Sequence, residues 1–139
     1  MNKIYIEASA GELIDKITIL EIKKEKISNK HSLEIINKEY SSLKEAMEKN
    51  IKVNDEIKKL WRELKVLNLK LWEIEDGKRL AEKNKKFDES FIELARNVYK
   101  CNDMRAKIKS KINQLSGSNI REVKPVSYTH LTLPTTPYV

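Results

Sequence analysis

The chain has one cysteine, three glycines and three prolines in 139 residues, and aromatic residues make up 6% of it. With a single cysteine, Cys101, no intrachain disulfide framework is available. Scarce Gly and Pro leave few breakers, which suits long helices and argues against a sandwich or barrel of short strands. The two histidines, His31 and His130, are too few for a His-rich metal centre, and His31 falls at a turn between helical segments. Gly11, Gly77 and Gly117 are isolated, so there is no glycine-rich phosphate loop. No apolar run approaches the ~20 residues of a membrane span, and the N-terminus lacks a basic-then-apolar leader pattern. These absences lead to the expectation of a soluble cytoplasmic protein with no cofactor and no metal.

Charge is what the chain has in abundance. Asp, Glu, Lys and Arg make up 35% of residues, and the formal net charge is +7. Such a balance admits an anionic partner. The lysines are spread along helices and alternate with glutamates, so nucleic-acid binding is the least favoured of the candidate functions.

Apolar spacing reads as four helices in one domain, residues 1–124. Ser9, with Glu12 three residues on, is a capping-box signature and opens a helix over 10–27. Its apolar residues fall on several faces, which predicts contacts on several sides. A second helix, 32–49, carries a narrow stripe of Leu33, Ile36, Tyr40, Leu43 and Met47, as expected of an outer helix. A third begins after Asn54 or Asp55 and runs to about 84, with Gly77 as a possible bend. A fourth starts at Asp88, where Phe87 and Ile92 suggest a hydrophobic staple, and stops at Gly117. Segments 3–7 and 120–124 alternate apolar and polar residues and could pair as a two-strand ribbon. The expected fold is all-α: an antiparallel helical bundle on a long helical hairpin, with that ribbon joining the chain ends. Residues 125–139 hold all three prolines and no Lys, Arg, Asp or Glu, and resemble translated sequencing-adapter read-through.

The fourth helix carries the most informative irregularity. Its stripe reads Leu94, Val98, Cys101, Arg105, Ile108, Ile112, Leu115, with a guanidinium where a leucine belongs. An unpaired buried guanidinium is very costly, so Arg105 must meet an acid, an anion or water. Asn102 and Lys109 flank it. In an antiparallel hairpin turning near residue 86, Asn68 comes level with Arg105, Glu75 and Asp76 with Arg96, and Trp72 with Tyr99. This predicts an Arg96–carboxylate pair and an Arg105–Asn68 contact, with Glu12, Asp15 or Glu21 as candidate acids from the first helix. The candidate cluster is Glu12, Asp15, Lys16, Asn68, Trp72, Glu75, Asp76, Arg79, Arg96, Asn102, Arg105 and Lys109. Two readings stand. In one, the cluster is a polar network fixing helix register. In the other, it is a site for an anionic small molecule, with Arg96, Arg105 and Lys109 as donors. The N–H groups near Gly11 offer a lesser anion site.

Four segments carry a resemblance: ASAGELIDKITILEIKKEKI, LWEIED, FIELARNVYKCNDMRAKIKSKIN and GSNIREVK. Their specific elements are Gly11, Glu12, Leu13, Asp15, Lys16 and Ile17; Leu71, Trp72, Ile74, Glu75 and Asp76; and Asn102, Asp103, Arg105, Ala106, Ile108 and Lys109. Over most of 3–124 the chain resembles a bacterial domain-of-unknown-function family, number 6165. The resemblance implies no activity, substrate or catalytic residue, only a loose association with cell-envelope sugar processing. With no recognisable catalytic set, the leading expectation is a non-catalytic interaction or adaptor module with a protein partner or a homo-oligomeric state. A small helical enzyme or binding protein for an anionic metabolite is the alternative.

Overall fold

The computed structural model describes residues 3–117 and contains four helices among them: α1 (Ala10–Lys26), α2 (Lys30–Asn50), α3 (Asp55–Asn84) and α4 (Glu89–Ser116). Each starts on the kind of residue that satisfies free helical N–H groups. Ser9 Oγ accepts from Glu12 N–H at 3.1 Å, Asn29 caps α2, Asn54 caps α3, and Asp88 caps α4. The two long helices end in left-handed residues, Lys85 after α3 and Gly117 after α4. α3 is a single helix through Gly77.

The packing explains why α1 is apolar on so many sides. It contacts α2, α3 and α4, and buries Ile14, Ile17, Ile19, Leu20 and Ile22. α2 packs on α1 and buries only Ile36 and Met47, in keeping with its narrow stripe. α3 and α4 pack on each other, with Gly77 facing Leu94. α3 buries Ile57, Leu60, Leu64, Leu67, Leu71 and Ile74, the stripe read from its sequence. No described residue between Ile74 and Cys101 is buried, so the core lies in the half of the α3–α4 pair that α1 covers.

Three details depart from the sequence reading. Residues 3–7 form no strand, and Ile4, Tyr5 and Ile6 are exposed; the partner segment 120–124 and the tail 125–139 lie outside the described residues. Leu115 is exposed, because the α4 stripe stays buried only as far as Ile112 and Asn113. The Phe87 ring meets Phe91 edge-on at 5.2 Å, while Ile92 is exposed, so the aromatic pair stands where the staple was expected.

Candidate functional site

Where α1 crosses α3 and α4, six polar side chains are almost wholly removed from water: Asp15, Thr18, Asn68, Arg105, Lys109 and Asn113. Asp15 is the hub. Its Oδ2 accepts from Arg105 Nη2 at 2.5 Å, and its Oδ1 accepts from Arg105 Nε at 3.4 Å and Asn68 Nδ2 at 2.8 Å. Arg105 Nη1 donates to Asn102 Oδ1 at 2.8 Å. The guanidinium thus binds a carboxylate with two nitrogens and an amide oxygen with the third, the fork geometry that suits arginine and not lysine.

The network has a direction. Asn68 Nδ2 also donates to Thr18 Oγ1 at 2.8 Å, and the Thr18 hydroxyl donates to the Asp15 carbonyl at 2.7 Å. That order fixes which way the Asn68 amide faces. Its Oδ1 is buried with no partner among the described residues. A buried acceptor left unmade costs about 1–3 kcal/mol, offset here by placing both N–H groups on acceptors.

One helical turn further along α4, Lys109 Nζ meets Glu12 Oε2 at 2.9 Å. One turn beyond that, Asn113 Oδ1 accepts the Gly11 N–H at 2.7 Å. Arg105, Lys109 and Asn113 therefore hold three successive points of α1. Gly11 is required by this approach: a Cβ there would lie 2.4 Å from the Lys109 carbonyl oxygen. Its N–H is committed to Asn113, so the anion site expected around Gly11 is filled by the protein's own side chain.

The sequence-derived cluster divides in two. Glu12, Asp15, Asn68, Asn102, Arg105 and Lys109 come together. Lys16, Asp76, Arg79 and Arg96 are exposed, and Trp72 and Glu75 are half-buried outside the network. Glu75 pairs with Lys78 at 3.5 Å, not with Arg96, which has no ion pair among the described residues. The reason is helical phase. Arg96 lies nine residues before Arg105, about two and a half turns, so it faces the opposite side of α4. Asn68 and Arg105 do come level, but they meet through Asp15 and not on each other.

Thr18 and Asn113 were missed by the sequence reading. Asn113 had a legible signal, since Arg105, Lys109 and Asn113 repeat every four residues on one face. Thr18 had none, standing in a run of isoleucines and leucines.

Elsewhere, a cleft of about 530 Å³ is lined by Lys44, Met47, Glu48, Ile51, Val53, Lys58, Trp61 and Arg62. Lys44 Nζ sits 5.2 Å from the Trp61 ring centre, and Trp61 Nε1 donates to Glu21 at 3.1 Å. Cys101 is buried, and desolvation raises its thiol pKa. Burial, followed by the Glu21 carboxylate, raises the Tyr40 hydroxyl pKa. Among the described residues no group of three or more His, Cys, Asp or Glu could hold a metal, and no helix is long and apolar enough to cross a membrane.

The family of unknown function DUF6165 matches residues 4–139, a span that also takes in 125–139 beyond Lys124. No curated protein and no solved structure matches the chain. Since the match spans nearly the whole sequence, the chain belongs to the DUF6165 family of unknown function.

Proposed function

We propose that this domain is a non-catalytic interaction module whose buried polar network sets helix register and binds no substrate. One observation carries the reading: the Arg105 guanidinium, 2% exposed, is already bound by Asp15 and Asn102. A donor held by its own protein has little left to offer an anion. The same contacts support an antiparallel α3–α4 hairpin, since Gly77 faces Leu94 while Asn68 and Arg105 share Asp15. The test is a thermal-shift screen against anionic sugars, nucleotides and carboxylates. The reading expects no ligand whose stabilisation depends on Arg105. A ligand that stabilises the native chain and fails to stabilise Arg105→Lys would overturn it.

A second reading, an anion-binding protein, draws support from the cleft and not from the network. Lys44, Lys58 and Arg62 against the single acid Glu48 make its lining net cationic around an apolar floor of Met47, Ile51 and Val53. Under that reading, stabilisation by an anion is lost in Arg62→Ala and kept in Arg105→Lys.

A further inference from the structure

The outer surface of α4 carries a pattern that the network does not use. Glu89, Ile92 and Glu93 are followed seven residues later by Arg96, Tyr99 and Lys100. Seven residues are about two turns, so both triplets share one side of the helix. All six are exposed, with Ile92 at 42% and Tyr99 at 41%. None makes an ion pair or a ring contact among the described residues. The first triplet is acid–apolar–acid and the second is base–apolar–base.

Such a stripe matches itself in only one orientation. Laid antiparallel on a copy, the acidic triplet falls on the basic one. Glu89 then lies level with the partner copy's lysine and Glu93 with its arginine, while Ile92 and the copy's tyrosine fall two residues, about 3 Å, apart along the axis. Laid parallel, acid meets acid and base meets base, which is repulsive. A surface that complements itself after reversal is what a two-fold contact requires. This part of the molecule is also where the core has ended, since no residue between Ile74 and Cys101 is buried. We infer that a second copy of this chain packs antiparallel against the Glu89–Lys100 side of α4, forming a homodimer.

This inference rests on the interaction-module reading and names the partner. The stripe is about 18 Å long at 1.5 Å per residue. A contact of that length falls at the small end of specific interfaces, below about 1,200 Å² in total, so a reversible, weak dimer is expected.

The test is sedimentation velocity of the full chain from about 10 μM to about 1 mM, a range that brackets a Kd of about 100 μM. The native chain should move from monomer to dimer as concentration rises, and added salt should weaken the dimer. Glu89→Lys with Glu93→Lys makes the stripe wholly basic. Arg96→Glu with Lys100→Glu makes it wholly acidic. Each double variant should dimerise about tenfold or more weakly, with unchanged helical circular dichroism because all four positions are exposed. Mixing the two variants should restore a dimer, and so should one chain carrying all four changes. A native chain that stays monomeric at every concentration overturns the inference, as does a dimer indifferent to the reversals or a mixture that stays monomeric. None of these outcomes bears on whether an anion occupies the Arg105 network, so the two readings can fail separately.

Discussion

Replacing Arg105 with methionine separates a structural network from a binding site. Methionine keeps an unbranched apolar stem in the space of the arginine chain and removes the charge. Asp15, with no exposed surface, then keeps the Asn68 amide at 2.8 Å and loses both guanidinium contacts. Asn102 loses its donor as well. Breaking a buried pair by removing one partner costs about 3–5 kcal/mol, because the remaining charge has no compensation. Against a total stability of about 5–15 kcal/mol, that is a large fraction. For a domain of this size it corresponds to a fall in Tm of roughly 12–20 °C. Urea unfolding followed by helical circular dichroism, with the slope checked for constancy, measures it. A companion variant, Asp15→Leu with Asn68→Leu and Arg105→Met, should recover most of the loss, since the apolar replacement leaves no buried charge unpaired. The reasoning is refuted if Arg105→Met loses less than about 1 kcal/mol or gains stability. Gain on substitution is what charges held in readiness for a ligand tend to give.

Four further expectations follow from particular contacts. Gly11→Ala should cost about 2–3 kcal/mol or prevent folding, because its Cβ meets the rigid Lys109 backbone oxygen at 2.4 Å. Gly77→Ala should be neutral or gain up to about 1 kcal/mol, since the neighbouring atom at 3.2 Å is a Leu94 methyl that can rotate away; urea melts of both variants make the comparison. Asn113→Ala should cost about 1–3 kcal/mol by leaving the buried Gly11 N–H without its acceptor, again read from urea unfolding. The Cys101 thiol and the Tyr40 hydroxyl both have raised pKa values in the folded chain, so the unfolded chain gives up these protons first. Stability should therefore fall as pH climbs past the ordinary thiol range, and a thiol reagent should label Cys101 only as the chain opens, both followed by pH-dependent urea melts with timed labelling.

The helices were legible because their signals are local. Caps at Ser9, Asn54 and Asp88 and a stop at Gly117 depend on a few neighbouring residues, and those elements stand where the sequence put them. α2 begins earlier than expected because Asn29, not a residue near Ser32, supplies the cap. Arg105 was legible as a misfit on an apolar stripe, and so was the need for an acid from α1. The identity of that acid was not, because Glu12 and Asp15 lie within one turn of each other, and only the path of α1 over α4 gives Asp15 to Arg105 and Glu12 to Lys109. Arg96 was expected against Glu75 and Asp76 by level along an antiparallel hairpin alone, and level says nothing of which side of the helix a residue faces. Asp76 shares that reason, whereas Lys16 and Arg79 stand in the cluster only as charged residues near the helix seams; all three are exposed.

The central claim is that the Arg105 guanidinium is occupied by the protein's own side chains. The most direct measurement is the Nε–H resonance of Arg105 in nitrogen-15 labelled protein, assigned with Arg105→Lys and titrated with phosphate and sulfate. The account predicts a resonance protected from solvent exchange and unmoved by either anion. A resonance that exchanges rapidly, or that shifts saturably as anion is added, would contradict it.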